Sequence, residues 1–310
     1  MKISVIVPCY NEGDSIARLV SSVHAALSSV DYELILIDDG SQDHSPREIA
    51  RAAEGDSRVR GIYFRRNYGQ TAAMSAGFDD ATGDILVPLD ADLQNDPEDI
   101  LKLVEKITEG FDVVSGWRKD RLDHWSRVWP SQLANGLVRW ITGVKLHDFG
   151  CSLKAYRRHV LDQVHLYGEM HRFIPVYAHW NGARITEMPV RHHPRTSGTS
   201  KYGFGRIPKV LLDLLVLKLL GSYATKPIHM FGFMGGILIL LGGTCISVTA
   251  YNRLFDHIFI KDQPLFLVGI FLWLVAVQTI MLGLVAELVI RVYHEARGAK
   301  PYLRKPPDEV

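Results

Sequence analysis

Two stretches of this chain, Ile228 to Tyr251 and Pro264 to Glu287, restrict its fold more than any other feature. The first carries no charged residue and the second none before its final acid. As helices rising about 1.5 Å per residue, each extends roughly 35 Å, more than the ~30 Å hydrocarbon core of a bilayer. Two core helices of a soluble protein are the competing reading, but a tandem pair of such runs favours a membrane hairpin. The connector Asn252–Gln263 balances Arg253 and Lys261 against Asp256 and Asp262, whereas Lys226 precedes the first span and Arg291, Arg297, Lys300, Arg304 and Lys305 follow the second. By the positive-inside rule both ends of the hairpin face the cytoplasm and the connector faces away. Gly232 and Gly236 form a small-xxx-small pair suited to packing the hairpin or an oligomer.

Just upstream, Arg206 to Ala224 mixes Arg206, Lys209 and Lys218 with a dense set of leucines and valines. It reads as a helix at the membrane surface, cations toward anionic headgroups and Pro208 in the first turn, or as a core helix of the preceding domain. The expected organisation is therefore a soluble domain over 1–205, a membrane-interface region over 206–226, two spans within 227–292 and a basic cytoplasmic tail over 293–310. With 47% hydrophobic and 22% charged residues among 310, the chain is ordered rather than disordered. A net charge of +1 gives no sign of a nucleic-acid partner, and none is expected. Cys9, Cys151 and Cys245 are odd in number, far apart and without metal-ligand spacing, which argues against a disulfide framework or a zinc site and for a reducing, cytosolic setting. The apolar run Ile3–Val7, ended by Pro8, is too short for a secretory signal, so the N-terminal domain is not expected to cross the membrane.

Residues 1 to about 200 alternate short β-rich runs with helical patterns. The runs are Ile3–Val7, Glu33–Ile37, Arg60–Phe64, Ile85–Leu89 and Val113–Ser115. That rhythm predicts an α/β fold, a mostly parallel sheet covered by helices, whose ligand site lies beyond the carboxyl ends of the strands. Polar residues collect at those ends: Pro8-Cys9-Tyr10-Asn11-Glu12, Asp38-Asp39-Gly40-Ser41, Arg65-Arg66-Asn67-Tyr68-Gly69 and Asp90-Ala91-Asp92-Leu93-Gln94. In an extended segment Asp90 and Asp92 point the same way and Ala91 the other. Two carboxylates so placed repel unless a proton or cation intervenes, and oxygen ligands suit Mg²⁺ or Mn²⁺ shared with substrate phosphates. A solvated turn is the plainer alternative for the pentapeptide taken alone. No Gly-x-Gly-x-x-Gly follows the first strand and no Gly-Lys-Ser/Thr loop occurs, which disfavours a dinucleotide fold and a phosphate-binding loop of the NTPase kind.

Taken in order and spacing, Pro8–Glu12, Asp38–Ser41 and Asp90–Gln94 resemble the nucleotide-sugar motifs of family 2 glycosyltransferases. With Arg195-Thr196-Ser197-Gly198-Thr199-Ser200-Lys201-Tyr202 and the hairpin, the likeness narrows to the polyprenyl-phosphate branch, which includes dolichyl-phosphate mannose synthase and bacterial glucosyl- and aminoarabinosyl-transferases acting on undecaprenyl phosphate. The resemblance implies a GT-A fold and inverting, metal-dependent transfer of one sugar from a nucleotide sugar to a polyprenyl phosphate at the cytoplasmic face of a cell inner membrane. It also implies assembly as a homo-oligomer, a tetramer in related proteins. UDP-glucose is the first choice of donor; GDP-mannose and a UDP-aminoarabinose-type sugar are the alternatives. The resemblance assigns the cation to Asp92 and Gln94, Asp90 to the nucleotide, Asp39 to base or ribose, and Pro8, Tyr10 and Glu12 to the base pocket. Helix capping for Asp38 to Ser41 and plain packing for Tyr10 are the bland counterparts.

A polyprenyl phosphate already carries a nucleophilic oxyanion near neutral pH, its second pKa being about 6, so positioning can replace a general base. Arginine suits the phosphates because its planar fork binds two oxygens at once. Arg118, and Arg127 with Ser131 four residues later on one helix face, match acceptor-phosphate positions of the family, while Arg195 and Lys201 match the segment over the donor diphosphate. Asp148 and Glu169 can each accept bonds from sugar hydroxyls or cap a helix, and His192-His193 reads as structural. Gly136-Leu137-Val138-Arg139-Trp140 has the Arg-Trp of the processive synthases without their Gln, which with only two spans argues for single-sugar transfer. A tethered nucleotide-sugar binding protein without catalysis is the non-enzymatic alternative, disfavoured by Asp92, Gln94, Arg118 and Arg195.

Overall fold

The computed structural model describes residues 1–119, 135–161, 170–193 and 227–297. The chain divides into two compact units, Met1–Leu214 and Leu215–Val310.

In the first unit seven strands, β1 (Ile3–Cys9), β2 (Tyr32–Asp38), β3 (Val59–Tyr63), β4 (Ile85–Pro88), β5 (Val113–Trp117), β6 (Lys154–Arg157) and β7 (Ile185–Pro189), form one sheet in the order β3-β2-β1-β4-β6-β5-β7. The pairs β1–β2, β1–β4, β2–β3 and β5–β7 are parallel, as the alternating pattern predicts for strands joined by helical crossovers. Those crossovers are α1 (Gly13–Ala26), α2 (Ser45–Gly55), α3 (Gln70–Asp80) and α4 (Asp99–Thr108), with α5 (Ile174–Trp180) preceding β7. The two-residue period of the strands divides the core. Val5, Val7, Leu34 and Leu36 pack with Ile16, Leu19, Ile49 and Ile100 on one face, while Ile6, Ile35 and Ile37 pack with Met74, Phe78 and Ile174 on the other. Helix α3 comes so close to β1 that a methyl on Gly77 would lie 2.4 Å from Ile6 Cγ2.

Strand β6 departs from the expected pattern. It runs antiparallel between β4 and β5, with Ile85 opposite Arg157 and Val114 opposite Ala155. Its four residues, Lys-Ala-Tyr-Arg, show no apolar run, and Lys154 is buried rather than turned to solvent.

The second unit is built on α6 (Pro227–Phe255) and α7 (Pro264–Arg297), separated by a short 3₁₀ turn at Ile260–Asp262. Pro227–Phe255 and Pro264–Val289 have mean hydropathy 2.0 and 2.5, with 11% of each apolar window buried. Their outward faces, Phe233, Leu240 and Leu267 among them, would be strongly unfavourable in water and suit a hydrocarbon surround. The helices meet through glycines: a methyl at Gly235 would lie 2.6 Å from Ile280 Cγ1, one at Gly242 2.5 Å from Trp273 Cδ1, and one at Gly283 2.7 Å from Phe231 Cβ. Trp273 Nε1 donates across the pair to the Ile239 carbonyl at 3.0 Å. Gly232 and Gly236, the pair singled out by spacing, have nothing within 4 Å of such a methyl, so this helix pair is packed by other glycines.

Candidate active site

Because β2, β1 and β4 are parallel neighbours, their carboxyl ends lie along one edge. Beyond β1, Asn11 adopts φ 55°, and the loop is bonded to the one that follows β2. The Asn11 N–H donates to Ser41 Oγ (2.9 Å), Asn11 Oδ1 accepts from the Gln42 N–H (2.8 Å), and the Glu12 N–H donates to Ser45 Oγ (2.9 Å). Pro8 sits within β1 opposite Ile37, and Tyr10 and Glu12 are half-buried at its exit. Asp38, buried, accepts from the Ser41 N–H at 3.2 Å. Asp39, equally buried, accepts from the Tyr68 N–H (2.7 Å), the Gly69 N–H (2.9 Å) and Asn67 Nδ2 (3.0 Å). Burial pushes its carboxyl above the usual range, opposed by those backbone donors. Gly40 is required where these two loops touch: at φ 68°, a methyl on it would come within 2.3 Å of the Arg66 carbonyl carbon.

Beyond β4, Ala91 is buried between the half-buried Asp90 and Asp92. Asp90 Oδ1 accepts from Gln70 Nε2 (2.9 Å) at the start of α3, and Asp92 Oδ1 accepts from the Gln94 N–H (3.2 Å) across a turn in which Leu93 takes φ 61°. Gln94 pairs with the strand leaving β7: its carbonyl accepts from the His193 N–H at 2.8 Å and its Nε2 donates to the His193 carbonyl at 3.5 Å. Asn95 and His192 form an antiparallel bridge beside them. Among the described residues no group of three or more His, Cys, Asp or Glu could hold a metal alone. The side-chain oxygens of Asp92 and Gln94 nevertheless suit a hard divalent ion, which would take its remaining ligands from phosphate and water.

Beyond β5 stands Arg118. Its Nε and Nη2 donate to Asp148 Oδ2 (2.7 Å) and Oδ1 (3.0 Å), a two-pronged pair in which the side chains are 15% and 5% exposed. Burial works against the guanidinium charge, but the Asp148 hydrogen bonds outweigh it and nearby Asp90 adds to the effect, so its pKa is raised. Asp148 thus holds the arginine through Nε and Nη2, and these two bonds do not use Nη1. The loop behind it is pinned by Lys154, whose buried Nζ donates to the carbonyls of Phe149 (3.3 Å) and Cys151. Burial lowers the Lys154 pKa. His171 is pushed down to about 3 by burial, then by Arg172 and Lys154, and its neutral ring meets Thr71 Oγ1 at 2.6 Å.

Asp39, Asp90, Asp92, Gln94 and Arg118 thus all follow strand ends of the same sheet. Arg127, Ser131, Glu169, Arg195 and Lys201 lie outside the described residues, as do 206–226 and 298–310. Sequence reasoning missed Gln70, which orients Asp90, and Asp148 as the anchor of Arg118. The adjoining Tyr68-Gly69 pair was a signal for the first, since it marks a helix start beside the strand ends; nothing local marks the second.

Residues 4–165 match Glycosyl transferase family 2. Over 98% of this chain and 92% of the relative, it is 41% identical to dodecaprenyl-phosphate galacturonate synthase of Rhizobium johnstonii. It is 38% identical to undecaprenyl-phosphate 4-deoxy-4-formamido-L-arabinose transferase of Enterobacter sp., over 97% of this chain and 92% of that one. Among solved structures, glucosyl-3-phosphoglycerate synthase from Mycobacterium tuberculosis in complex with Mg²⁺ and UDP superposes with TM-score 0.55 at 19% identity, covering 70% of this chain and 79% of that one. A mannosyltransferase from Pyrobaculum calidifontis in complex with GDP-Man and Mn²⁺ superposes with TM-score 0.50 at 16% identity, covering 96% and 76%. At those identities the structures speak for the fold alone. The family match and the full-length relatives go further, and establish that this chain is a glycosyltransferase belonging to family 2.

Proposed function

We propose that the chain transfers one sugar, with inversion at the anomeric carbon, from a nucleotide sugar to a membrane polyprenyl phosphate. The observation that carries this reading is the pairing, at the ends of β4 and β5 in one sheet, of an oxygen-donor motif with an arginine half-engaged by Asp148, on a chain that continues into two helices long enough to span a bilayer. The names of the full-length relatives support the acceptor class. In this reading Pro8, Tyr10, Glu12 and Asp39 enclose the nucleotide and Asp90, held by Gln70, lies beside it. Mg²⁺ or Mn²⁺ at Asp92 and Gln94 would neutralise charge on the departing diphosphate. The Nη1 edge of Arg118, with Arg127 and Ser131, positions the acceptor phosphate, whose oxyanion attacks without a general base; Arg195 and Lys201 cover the donor diphosphate.

The catalytic domain and both termini are assigned to the cytoplasmic side of an inner membrane, from the charge asymmetry around the hairpin. A uridine nucleotide is the proposed donor. Glucose is the first sugar to test, and the relatives make a uronic acid and a 4-formamido-arabinose its direct competitors. The test is full-length protein in liposomes with undecaprenyl phosphate, offered UDP-glucose, UDP-galacturonate, UDP-4-formamido-arabinose and GDP-mannose, with lipids analysed by mass. A single glycosylated lipid phosphate, formed with stoichiometric nucleoside diphosphate and lost on chelation, is expected. No lipid product from any donor would overturn the reading.

A further inference from the structure

The exit of β7 is tied to the loop between β4 and α4 through one side chain. Arg191 Nη1 lies 3.1 Å from Asp96, Nη2 2.7 Å from Glu98 and Nε 3.5 Å from Asp99, and its own N–H donates to Asp99 Oδ2 at 2.7 Å. Asp99, 1% exposed, begins α4 and also holds Lys102 at 2.6 Å. Three carboxylates within four residues repel one another, and a guanidinium fork is the side chain that can satisfy all three from one position.

What the fork fixes is the wall of the cation loop. Two residues beyond Arg191, the His193 backbone takes both the carbonyl and the side-chain amide of Gln94, at 2.8 and 3.5 Å. Asn95 is held from the other side, its Nδ2 donating to Ser152 Oγ at 2.8 Å. Gln94 is thus clamped between a strand exit and a helix start that meet through Arg191, through His193 Nε2 at 3.3 Å from Asp96 Oδ2, and through this short backbone pairing. The Arg191 side chain is 46% exposed, its pair with the exposed Glu98 contributes only about 0–1 kcal/mol to stability, and the buried Asp99 keeps Lys102 and the Arg191 N–H as partners when the fork is removed. Its value to the molecule is register.

We infer that Arg191 is a positioning residue for the divalent ion: by clamping Asp96, Glu98 and Asp99 to the β7 exit, it fixes Gln94 relative to Asp92. This rests on the assignment of those two residues as the cation's ligands. Glu98 and Asp96 complete the clamp and do not themselves meet the ion.

The test is Mn²⁺ binding by electron paramagnetic resonance to purified full-length protein with UDP present, alongside thermal unfolding. Arg191→Met is expected to weaken Mn²⁺ binding roughly tenfold, and Arg191→Lys roughly threefold because an ammonium cannot span three carboxylates. The unfolding midpoint should move little, whereas a merely structural role would lower it and leave Mn²⁺ affinity unchanged. Wild-type Mn²⁺ affinity in Arg191→Lys, or in Arg191→Met if it folds, overturns the inference. Asp92→Ala separates the two levels. If it still binds Mn²⁺ as wild type does, the ligand assignment fails and the inference with it; if it loses Mn²⁺ while both Arg191 variants keep it, the inference alone fails.

Discussion

The acidic motifs after β2 and after β4 look alike in composition and differ in what their oxygens hold. Asp38 and Asp39 are each 3% exposed, and Asp39 takes three N–H donors from residues 67–69. Asp90 and Asp92 are half-buried; Asp90 takes the Gln70 amide and Asp92 an N–H of its own turn. An ionised carboxylate offers about four acceptor positions, so Asp39 is nearly saturated by the loop after β3, while Asp90 is oriented from the start of α3 and Asp92 from within its own turn. On the proposed function, the difference separates a carboxylate that builds the site from one that serves it. Asp148, bound to Arg118, is a third kind: it spends its oxygens on a cation and orients that cation's other edge.

The largest effect expected from this contrast is at Asp92. Asp92→Ala should lower transfer by at least about a thousandfold, roughly 4 kcal/mol of transition-state stabilisation, while the unfolding free energy of the soluble unit stays nearly constant. A large loss of stability instead, measured by denaturant unfolding, would place Asp92 among the scaffolding acids and erase the distinction. Next in size is Asp148→Ala, which strands a largely buried guanidinium. Stability should fall by about 3 kcal/mol, with the KM for the lipid phosphate rising more than that for the nucleotide sugar. An effect confined to the donor KM would reverse the proposed roles of the two strand ends. Asp39→Ala is expected to cost about 2 kcal/mol of stability, because it leaves the N–H groups of Tyr68 and Gly69 without an acceptor, and to raise the donor KM. Asp39→Asn, which keeps one acceptor oxygen, should recover part of both; equal loss in the two variants would mean that the charge, not the loop anchoring, matters.

How far such distinctions were legible in the sequence depended on the distance over which each is made. The five strands β1 to β5 announced themselves as short apolar runs, and their polar ends drew attention to Asp39, Asp90, Asp92 and Gln94, whereas Arg118 was picked out by the family resemblance. The antiparallel β6 did not, because Lys154 and Arg157 occupy a four-residue strand whose lysine is satisfied by buried carbonyls. Asp39 was recognisable as a strand-end acid, but its partners lie 28 to 30 residues downstream, so its anchoring role appears only once β3 is docked. Asp148 meets Arg118 across 30 residues, and Arg191 meets Asp99 across 92. In the second unit the absence of charge revealed both long helices, yet spacing picked Gly232 and Gly236 where the packing uses Gly235 and Gly242. Spacing along one helix does not reveal which face the other helix covers.

The smallest expected effect concerns a saturated carboxylate remote from the strand-end motifs. Glu33, buried in β2, accepts from Ser4 Oγ (2.6 Å), the Thr82 N–H (2.6 Å) and Thr82 Oγ1 (2.8 Å), with Arg60 Nη2 3.0 Å away. Burial opposes its charge, but the Ser4 and Thr82 hydrogen bonds and the Lys2 charge prevail, and its pKa falls to about 2. An unfolded glutamate titrates near 4.3, so between roughly pH 4 and pH 2 the unfolded chain binds a proton that the folded chain does not. The stabilisation is therefore complete above that window and is lost as pH falls through it. Glu33→Gln should flatten the slope of unfolding free energy against pH across the window and leave the donor KM at neutral pH unchanged. A shifted donor KM would show that acids saturated by the fold still reach the substrate, and the contrast between the β2 and β4 motifs would then have to rest on geometry rather than on occupancy.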